Sequence, residues 1–457
     1  MQNKKFLIFL FSFSLCIHFL FVYFFFKKES DHFVPRDSAQ YHDVAFQIAN
    51  GMGISNMDGS PSFYRVPGYS LFLAFCYKIF DFDLKKTIWL QVFLSSLIPI
   101  FVFLLSLAFF PNQLLLAKIA SIFMVFNLGM LVHCALLMSE VFFMIFSIIF
   151  SILFFSSFNL FICKSKDYFF SYKKIFFSGI FLGVSSLIRP VGHFILIITI
   201  FLLIFSDFIF LKKLKSLGVL FLGWVLIVFW WLFRNYLLTG MIFFHGMTGY
   251  HFLNYFASEI DCMAKKTIYS KSKDKLLEEW QNLILEKEKE KGNKIGQIER
   301  CSLAGDLALK IIKENIFLSI KHSGLNIFKT IFGLHSVFFI SRFSLSFPNY
   351  TSKTTMFDKI KNFIFPKISN KFIIFLIYLE IILLVFILLG FFCYGIVSIF
   401  CFEKLCSFLK VLPLITLLLF LTFGSGIARL RIPVEPFLII FSFNFWINFF
   451  SKYKKIL

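Results

Sequence analysis

Seven charged side chains near the ends of apolar segments could carry out chemistry on an anionic substrate. Two of them are the carboxylates of Asp37 and Glu140. The other five are the arginines Arg65, Arg189, Arg234, Arg429 and Arg431. A carboxylate can take a proton from an acceptor hydroxyl as a general base, and the planar guanidinium of arginine donates paired hydrogen bonds to phosphate. Together these groups suit displacement of a phosphate leaving group, because a fixed cation stabilises the charge that develops on it.

The segments that must position these residues are strongly apolar. Of the 457 residues, 59% are hydrophobic and 16% are charged, whereas a soluble chain carries about 25% charged residues. This composition excludes a soluble globular enzyme and a disordered chain. The many apolar runs also exclude a protein with a single span. The sequence therefore predicts an all-α polytopic membrane protein.

Ten apolar runs are predicted to span the bilayer. They cover residues 6–26, 87–110, 114–135, 138–162, 175–190, 192–211, 216–238, 372–400, 408–424 and 432–451. The run Gly68–Phe80 is too short to cross a bilayer, so we expect an interfacial helix there. A second helix is predicted to end at Asn50-Gly51, because Tyr41, Ala45 and Ile48 have helical spacing. Both helices belong to residues 27–86, which we call the first outer loop.

The distribution of positive charge predicts the orientation in the membrane. The net charge is +21, and the lysines gather at the ends of apolar runs, as membrane orientation requires. We therefore expect no nucleic-acid partner and place both termini in the cytoplasm. Two lysine pairs on the opposite side, Lys27/Lys28 and Lys85/Lys86, go against the rule.

Three regions follow from this map. Residues 1–240 form an N-terminal transmembrane module that includes the first outer loop, and residues 371–457 form the C-terminal transmembrane helices. Residues 241–370 between them are rich in charge and are predicted to be an outward-facing, helical region. Two amphipathic helices lying over the membrane are expected there from the spacing of Leu276, Trp280, Leu283 and Ile284, and of Leu303, Leu307 and Ile311.

Each candidate residue also has a structural interpretation. Asp37 could serve only as the N-cap of the helix that follows it, and Glu140 could be held in a structural ion pair. The arginines could reach lipid head groups by snorkelling, although orientation rules place such charges on the cytoplasmic side. Glu380 lies deep in an apolar run and would suit a proton-coupled transporter.

The cysteines indicate no metal site. The nine cysteines form no CxxC pair and no Cys/His cluster with the spacing of zinc ligands. Cys262 and Cys301 could form a disulfide if their segment faces an oxidising compartment. The sequence defines no cofactor and leaves a divalent metal open.

Five motifs occur in order along the chain. They are Asp37 with Tyr41, Ala45, Gly51 and Arg65-Val-Pro-Gly-Tyr; Met138-Ser-Glu140; Ser178-Gly-Ile-Phe-Leu-Gly183 with Arg189-Pro190; Trp231-Leu-Phe-Arg234-Asn235-Tyr236; and Ala428-Arg429-Leu-Arg431-Ile-Pro433. In this order the motifs resemble those of the GT-C superfamily of membrane glycosyltransferases. Within it the chain is similar to the bacterial branch of protein O-mannosyltransferases and the aminoarabinose transferases of lipid A.

The resemblance implies an activity and a set of partners. Members of the family transfer a sugar from a polyprenyl-phosphate donor to an envelope glycan, lipid or protein outside the membrane, with inversion at the anomeric carbon. Asp37 matches the family's acidic residue of the first loop, and Arg65 matches the basic residue that meets the carrier phosphate. Many members have a second acid after the first, where this chain has Ser38. A bacterial inner (plasma) membrane location, in contact with membrane lipid, is also implied.

Two further functions stay open. One is a transporter or flippase that moves a lipid-linked sugar without chemistry, although inverted repeats and paired broken helices are not evident. The other is a relative that binds the carrier lipid but has lost catalysis, which Ser38 allows.

Overall fold

The protein is a helical membrane protein, as the sequence predicts. A computed structural model describes residues 2–34, 37–157, 170–206, 209–338, 371–400, 411–412, 415–416 and 426–453, and these residues form no β-strand. Five of their helices are long and apolar enough to span a membrane: Asn3–Phe25, Leu84–Phe109, Phe210–Thr239, Lys371–Ile399 and Ala428–Ser451. A sixth span exists if Leu114–Val125 and Leu128–Cys134, which meet at a bend of 50°, cross together. The chain is therefore a multi-pass membrane protein, while the count of ten spans stays a prediction.

Helices cover nine of the ten predicted apolar runs. The remaining run, 408–424, lies almost wholly outside the described residues. In chain order the first helices are α1 Gln2–Phe25, α2 Asp37–Ala49, α3 Gly68–Phe80, α4 Leu84–Ser95, α5 Ile98–Phe109, α6 Leu114–Val125, α7 Leu128–Cys134, α8 Glu140–Phe155, α9 Tyr172–Ile188, α10 Val191–Ile204 and α11 Phe210–Thr239. A 3₁₀ turn, Glu29–His32, follows α1. The two helices predicted in the first outer loop are thus present as α2 and α3.

The remaining helices belong to the charged segment and the C-terminal part. They are α12 Thr248–His251, α13 Ser258–Lys265, α14 Tyr269–Lys291, α15 Gln297–Glu314, α16 Ile316–Phe332, α17 Lys371–Ile399 and α18 Glu435–Tyr453. A π-helix, Phe252–Ala257, joins α12 to α13, and a 3₁₀ helix, Ala428–Val434, precedes α18. The chain divides into two compact units: residues 1–247, 390–421 and 431–457 form the first, and residues 248–389 and 422–430 form the second.

In the first unit, α9 and α11 pack closely because small residues line their contact. A Cβ atom at Gly179 would clash with the carbonyl oxygen of Leu220, and one at Gly223 would clash with that of Phe176. Small residues allow helix backbones to approach in this way inside membranes. The packing fixes α9, which ends just before Arg189, against α11, which carries Arg234.

In the second unit, α14 and α15 confirm the two predicted amphipathic helices. The sequence led us to expect that their apolar side chains would face the membrane, but these side chains pack inside the protein instead. Leu276 of α14 and Leu307 and Ile311 of α15 are buried in a core shared with the π-helix and α13. Cys262 and Cys301 are free thiols rather than a disulfide, so the possible bond between them is not formed.

The helix α16 buries polar side chains and exposes apolar ones. The sequence patterns do not predict this arrangement. Its buried side chains are polar: Ser319, His322, Asn326 and Thr330. Its exposed side chains include large apolar ones: Ile316, Phe317, Ile320, Leu325, Phe328 and Phe332. A soluble helix has the opposite arrangement.

Candidate active site

In the first unit, the first outer loop brings Asp37 and Arg65 into direct contact. The Oδ1 atom of Asp37 lies 2.5 Å from Nη2 of Arg65. Asp37 is the first residue of α2, and Arg65 lies just before α3, which packs against α2. The side chains of Arg65 and Asp37 are 21% and 29% exposed, so a ligand can reach both. Besides beginning α2, Asp37 thus contacts Arg65, and its catalytic role stays a prediction.

One turn of α2 holds the guanidinium of Arg65 in place. Its Nε atom donates a hydrogen bond of 2.9 Å to Oε1 of Gln40. Its Cζ atom lies 5.0 Å from the centre of the Tyr41 ring, within the range of a cation–π contact. Asp37, Gln40 and Tyr41 lie at positions i, i+3 and i+4 and so share one face of the helix. Three neighbouring side chains thus fix the direction of one arginine.

The other predicted carboxylate, Glu140, forms an ion pair with Arg189. The Oε1 atom of Glu140 lies 2.7 Å from Nη1 of Arg189, and the Glu140 side chain is only 1% exposed. Glu140 begins α8, and Arg189 is the C-cap residue directly after α9. The geometry favours the structural interpretation of Glu140, because a buried charge is stable only with a close partner.

Contacts between helices bring the two ion pairs into one region of the first unit. The hydroxyl of Tyr41 lies 3.0 Å from Oγ of Ser139, the residue before Glu140. A Cβ atom at Gly68, at the start of α3, would lie 2.6 Å from the carbonyl oxygen of Leu187 near the end of α9. Only glycine permits so close an approach. Four of the predicted site residues, Asp37, Arg65, Glu140 and Arg189, therefore share one scaffold.

A buried glutamine holds the non-helical segment that leads to Glu140. Gln91 of α4 donates hydrogen bonds to the carbonyl oxygens of Cys134, at 2.9 Å, and of Leu136, at 2.7 Å. Its own Oε1 accepts a bond of 2.7 Å from the Tyr69 hydroxyl. Backbone groups without helical partners must be satisfied inside a membrane protein. Gln91 is not among the residues predicted from the sequence, although a lone amide in an apolar run is a recognisable signal.

The 3₁₀ turn of the first outer loop supports the same segment from another side. The Nδ1 atom of His32 donates a 2.5 Å hydrogen bond to the Ala135 carbonyl. The His32 carbonyl accepts a 3.0 Å bond from the Leu137 amide. Gln91 and His32 together form hydrogen bonds with the backbone groups between α7 and α8. These bonds fix the position at which α8 begins with Glu140.

Arg234 has a different set of partners from those predicted. Its Nη2 donates a 2.8 Å bond to the carbonyl of Ile54, and its Nη1 contacts the carbonyl of Ser62 at 3.4 Å. Nη1 also donates a 3.0 Å bond to Oδ1 of Asn235. These contacts attach the first outer loop to α11. They favour a positioning role, and phosphate binding by Arg234 stays a prediction.

The two arginines of the last motif fall in different units. Arg431 is buried in the first unit, where its Nε donates a 2.8 Å bond to Glu435. Glu435 in turn accepts a 2.7 Å bond from Asn127, so Glu435 joins the start of α18 both to Arg431 and to the residue before α7. Arg429 belongs to the second unit and is partly buried. A phosphate role for either residue stays a prediction.

Glu380, which suited a transporter, has a structural partner in the second unit. Its carboxylate accepts hydrogen bonds from the backbone amides of His335, at 2.6 Å, and Ser336, at 2.8 Å. A carboxylate with two amide donors is stabilised in place. This removes the main support for reading Glu380 as a proton-coupling residue.

Asp37 has a serine, not a second acid, beside it in the sequence. Ser38 follows Asp37, and its hydroxyl accepts a 2.9 Å hydrogen bond from the Val34 amide. In the described parts of the chain, no group of three or more His, Cys, Asp or Glu side chains could hold a metal. A divalent metal at Asp37 stays a prediction, because Mg²⁺ can be held by one or two carboxylates together with substrate phosphates.

Comparisons with known proteins give little further information. No protein-family model and no curated protein matches the chain. Among solved structures, it is similar to the crystal structure of ArnT from Cupriavidus metallidurans bound to undecaprenyl phosphate. That match has 11% sequence identity and a TM-score of 0.41, and it covers 94% of this chain and 77% of the other. Values this low do not establish a shared function.

Proposed function

We propose that the protein is an integral membrane glycosyltransferase that uses a polyprenyl-phosphate-linked sugar. The single observation that carries the proposal is the contact between Asp37 and Arg65, which presents a base and a phosphate-binding cation side by side. Both side chains remain partly exposed. The sequence motifs around them resemble the GT-C first loop, as described above. A lipid-linked sugar has an apolar tail and an anionic phosphate, so its site belongs at the bilayer surface.

The reaction would be a single displacement. Asp37 takes the proton of the acceptor hydroxyl, and the acceptor oxygen forms a bond to the anomeric carbon. The bond from that carbon to the phosphate oxygen breaks, and polyprenyl phosphate leaves with the bonding electrons. One displacement inverts the anomeric carbon.

Arg65 would serve both the base and the leaving group. Its guanidinium presents five N–H donors in a planar fork, so one arginine can hold Asp37 and meet a phosphate oxygen. Stabilising the charge on the departing phosphate lowers the barrier, because the cation is already in place. Glu140 and Arg189 would position the surrounding helices. The acceptor would be a glycolipid, polysaccharide or protein on the outer side of a bacterial inner membrane.

Transfer can be distinguished from transport with a donor labelled in its sugar. The purified chain is incubated with the labelled polyprenyl-phosphate hexose and an envelope extract as acceptor. We expect the label to leave the carrier and unlabelled polyprenyl phosphate to accumulate. In sealed vesicles, label that crosses the membrane while still bound to its carrier would instead identify a flippase. Retention of the label on the carrier, without crossing, would identify a binding protein that has lost catalysis.

A further inference from the structure

A cleft lies in the first unit where α1 ends and α4 begins. Its volume is about 510 Å³, which falls within the range of about 300–1,000 Å³ that is typical of ligand sites. The side chains that matter in its lining are Tyr23, Phe26, Lys27, His32, Lys85 and Trp89. Among the described residues, this lining includes no carboxylate. No carboxylate of the lining would therefore repel an anionic ligand in the cleft.

The positive charge of the cleft is only weakly compensated. The Lys85 ammonium lies 3.7 Å from Glu29, and both side chains are 58% exposed, so the pair contributes little. In the part of the chain that the structure describes, Lys27 has no carboxylate at ion-pair distance. These lysines belong to the two pairs that oppose the positive-inside rule. Membrane orientation thus gives no reason for their charge, and a local ligand does.

The aromatic residues of the cleft indicate the depth at which the ligand lies. Trp89 stacks on Phe19 with ring centres 4.5 Å apart. Phe19, Leu20 and Tyr23 of α1 are 46%, 42% and 57% exposed, so this helix presents apolar surface outward. Tyrosine and tryptophan collect where the membrane meets water. The cleft therefore combines cations at the head-group level with an apolar surface beside it.

We propose that this cleft binds the head-group phosphate of an anionic phospholipid, with Lys27 and Lys85 as its cationic partners. An anion with attached hydrocarbon matches both halves of the site, whereas free phosphate would leave the aromatic wall unused. The acyl chains run along the exposed apolar face of α1. The site is separate from Asp37 and Arg65, which do not line the cleft.

Occupation of the cleft would stabilise the scaffold of the candidate active site. His32 lines the cleft and also bonds Ala135 and Leu137 in the break before α8. A bound lipid would hold the Glu29–His32 turn against α4 and so keep these bonds in place. The proposal does not depend on the glycosyltransferase function, because lipid binding is measured without turnover.

The test compares two double variants of the full chain in detergent. Lys27→Gln with Lys85→Gln removes both cations of the cleft. Lys28→Gln with Lys86→Gln removes the neighbouring lysines, which do not line it, and is the matched control. Binding of phosphatidylglycerol and of phosphatidylcholine is followed by native mass spectrometry. We expect wild type to prefer phosphatidylglycerol, the cleft variant to bind it about tenfold or more weakly, and the control to bind it normally.

Additional measurements keep the result decisive. Lys27→Arg with Lys85→Arg keeps the charge and should retain binding, which excludes misfolding as the cause of a loss. Brominated phosphatidylglycerol should quench the tryptophan fluorescence of the wild type. The Trp89→Phe variant should lack the quenched part of that fluorescence. Equal losses in the two Gln variants would show only general surface attraction and would overturn the proposal. Stronger binding of polyprenyl phosphate than of phosphatidylglycerol at Lys27 and Lys85 would also overturn it, because the occupant would then be the carrier lipid.

Discussion

At the scale of single residues, the candidate active site contains two arginine–carboxylate pairs that differ in burial. The pair of Asp37 and Arg65 is partly exposed, whereas Glu140 is almost completely buried beside Arg189. An exposed pair can exchange a partner for a ligand at little cost. A buried pair cannot, because opening it leaves a charge without compensation. The exposure of the first pair favours contact with a substrate, and the burial of the second favours a structural role.

The buried pair should show strong coupling in stability. We expect Glu140→Gln and Arg189→Met each to lower the free energy of unfolding by about 3–5 kcal/mol, because each leaves one charge alone. The double variant should lose clearly less than the sum of the two. Lys287→Gln breaks an exposed pair with Glu290 and should change stability by about 0–1 kcal/mol. Unfolding in detergent measures all four variants, and additive losses would show that the pair is not a unit.

The residue types of the site could be predicted from sequence, but their pairing could not. Asp37 and Arg65 were assigned separate roles, although they lie only 28 positions apart. Their contact depends on how α2 packs against α3, which spacing does not specify. Arg234 was expected at a phosphate, yet it bonds carbonyl groups of the first outer loop. Backbone acceptors in a loop leave no signal in the sequence.

At the scale of helices, the break between α7 and α8 determines where Glu140 lies. This segment runs through apolar surroundings, and side chains from α4 and from the Glu29–His32 turn satisfy its carbonyl groups. The sequence predicted spans over residues 114–135 and 138–162, and helices do cover most of both. The bend inside the first span and the amide that supports it come from tertiary packing, which apolar periodicity does not report.

Replacing Gln91 should destabilise this break. Gln91→Leu keeps the size of the side chain but leaves the buried carbonyls of Cys134 and Leu136 without that donor. We expect a loss of about 1–3 kcal/mol in the free energy of unfolding. Sugar transfer should fall as well, because Ser139 and Glu140 would shift. Thr87→Val, one turn earlier in α4, removes only a bond to the carbonyl of Asp83 and should have little effect. Equal effects of the two changes would argue against a special role for Gln91.

The reversed polarity of α16 predicts that its outer face contacts lipid. Its apolar side chains are exposed, with Phe317 at 85% and Phe328 at 54%. Spin labels at Phe317→Cys and Phe328→Cys should therefore be more accessible to oxygen than to a water-soluble nickel complex. A label at Glu314→Cys, just before α16, should show the reverse. Aqueous behaviour at Phe317 and Phe328 would mean that another surface covers this helix. The sequence does not predict α16 as a lipid-facing helix, because it lies within a segment whose average composition is polar.

At the scale of the whole molecule, charge distribution predicts both termini in the cytoplasm and residues 286–291 outside. This orientation can be tested by labelling cysteines in intact cells after the native thiols are removed. Lys289→Cys lies at an exposed position of α14 and should react with a membrane-impermeant reagent. Lys4→Cys should react only after the membrane is ruptured. The opposite pattern would invert the orientation and move Asp37 and Arg65 to the cytoplasmic side.

The proposed function depends above all on Asp37 as the base for sugar transfer, and a single-turnover assay can test this role. Single-turnover transfer from labelled polyprenyl-phosphate hexose is compared for wild type, Asp37→Asn and Asp43→Asn. The first change preserves size and removes the basic oxygen, and the second makes the same change farther along α2. We expect Asp37→Asn to slow transfer by about 10²–10⁴-fold with unchanged thermal stability, and Asp43→Asn to transfer at the rate of wild type. Normal transfer by Asp37→Asn would show that Asp37 is not the base and would leave it as a structural partner of Arg65.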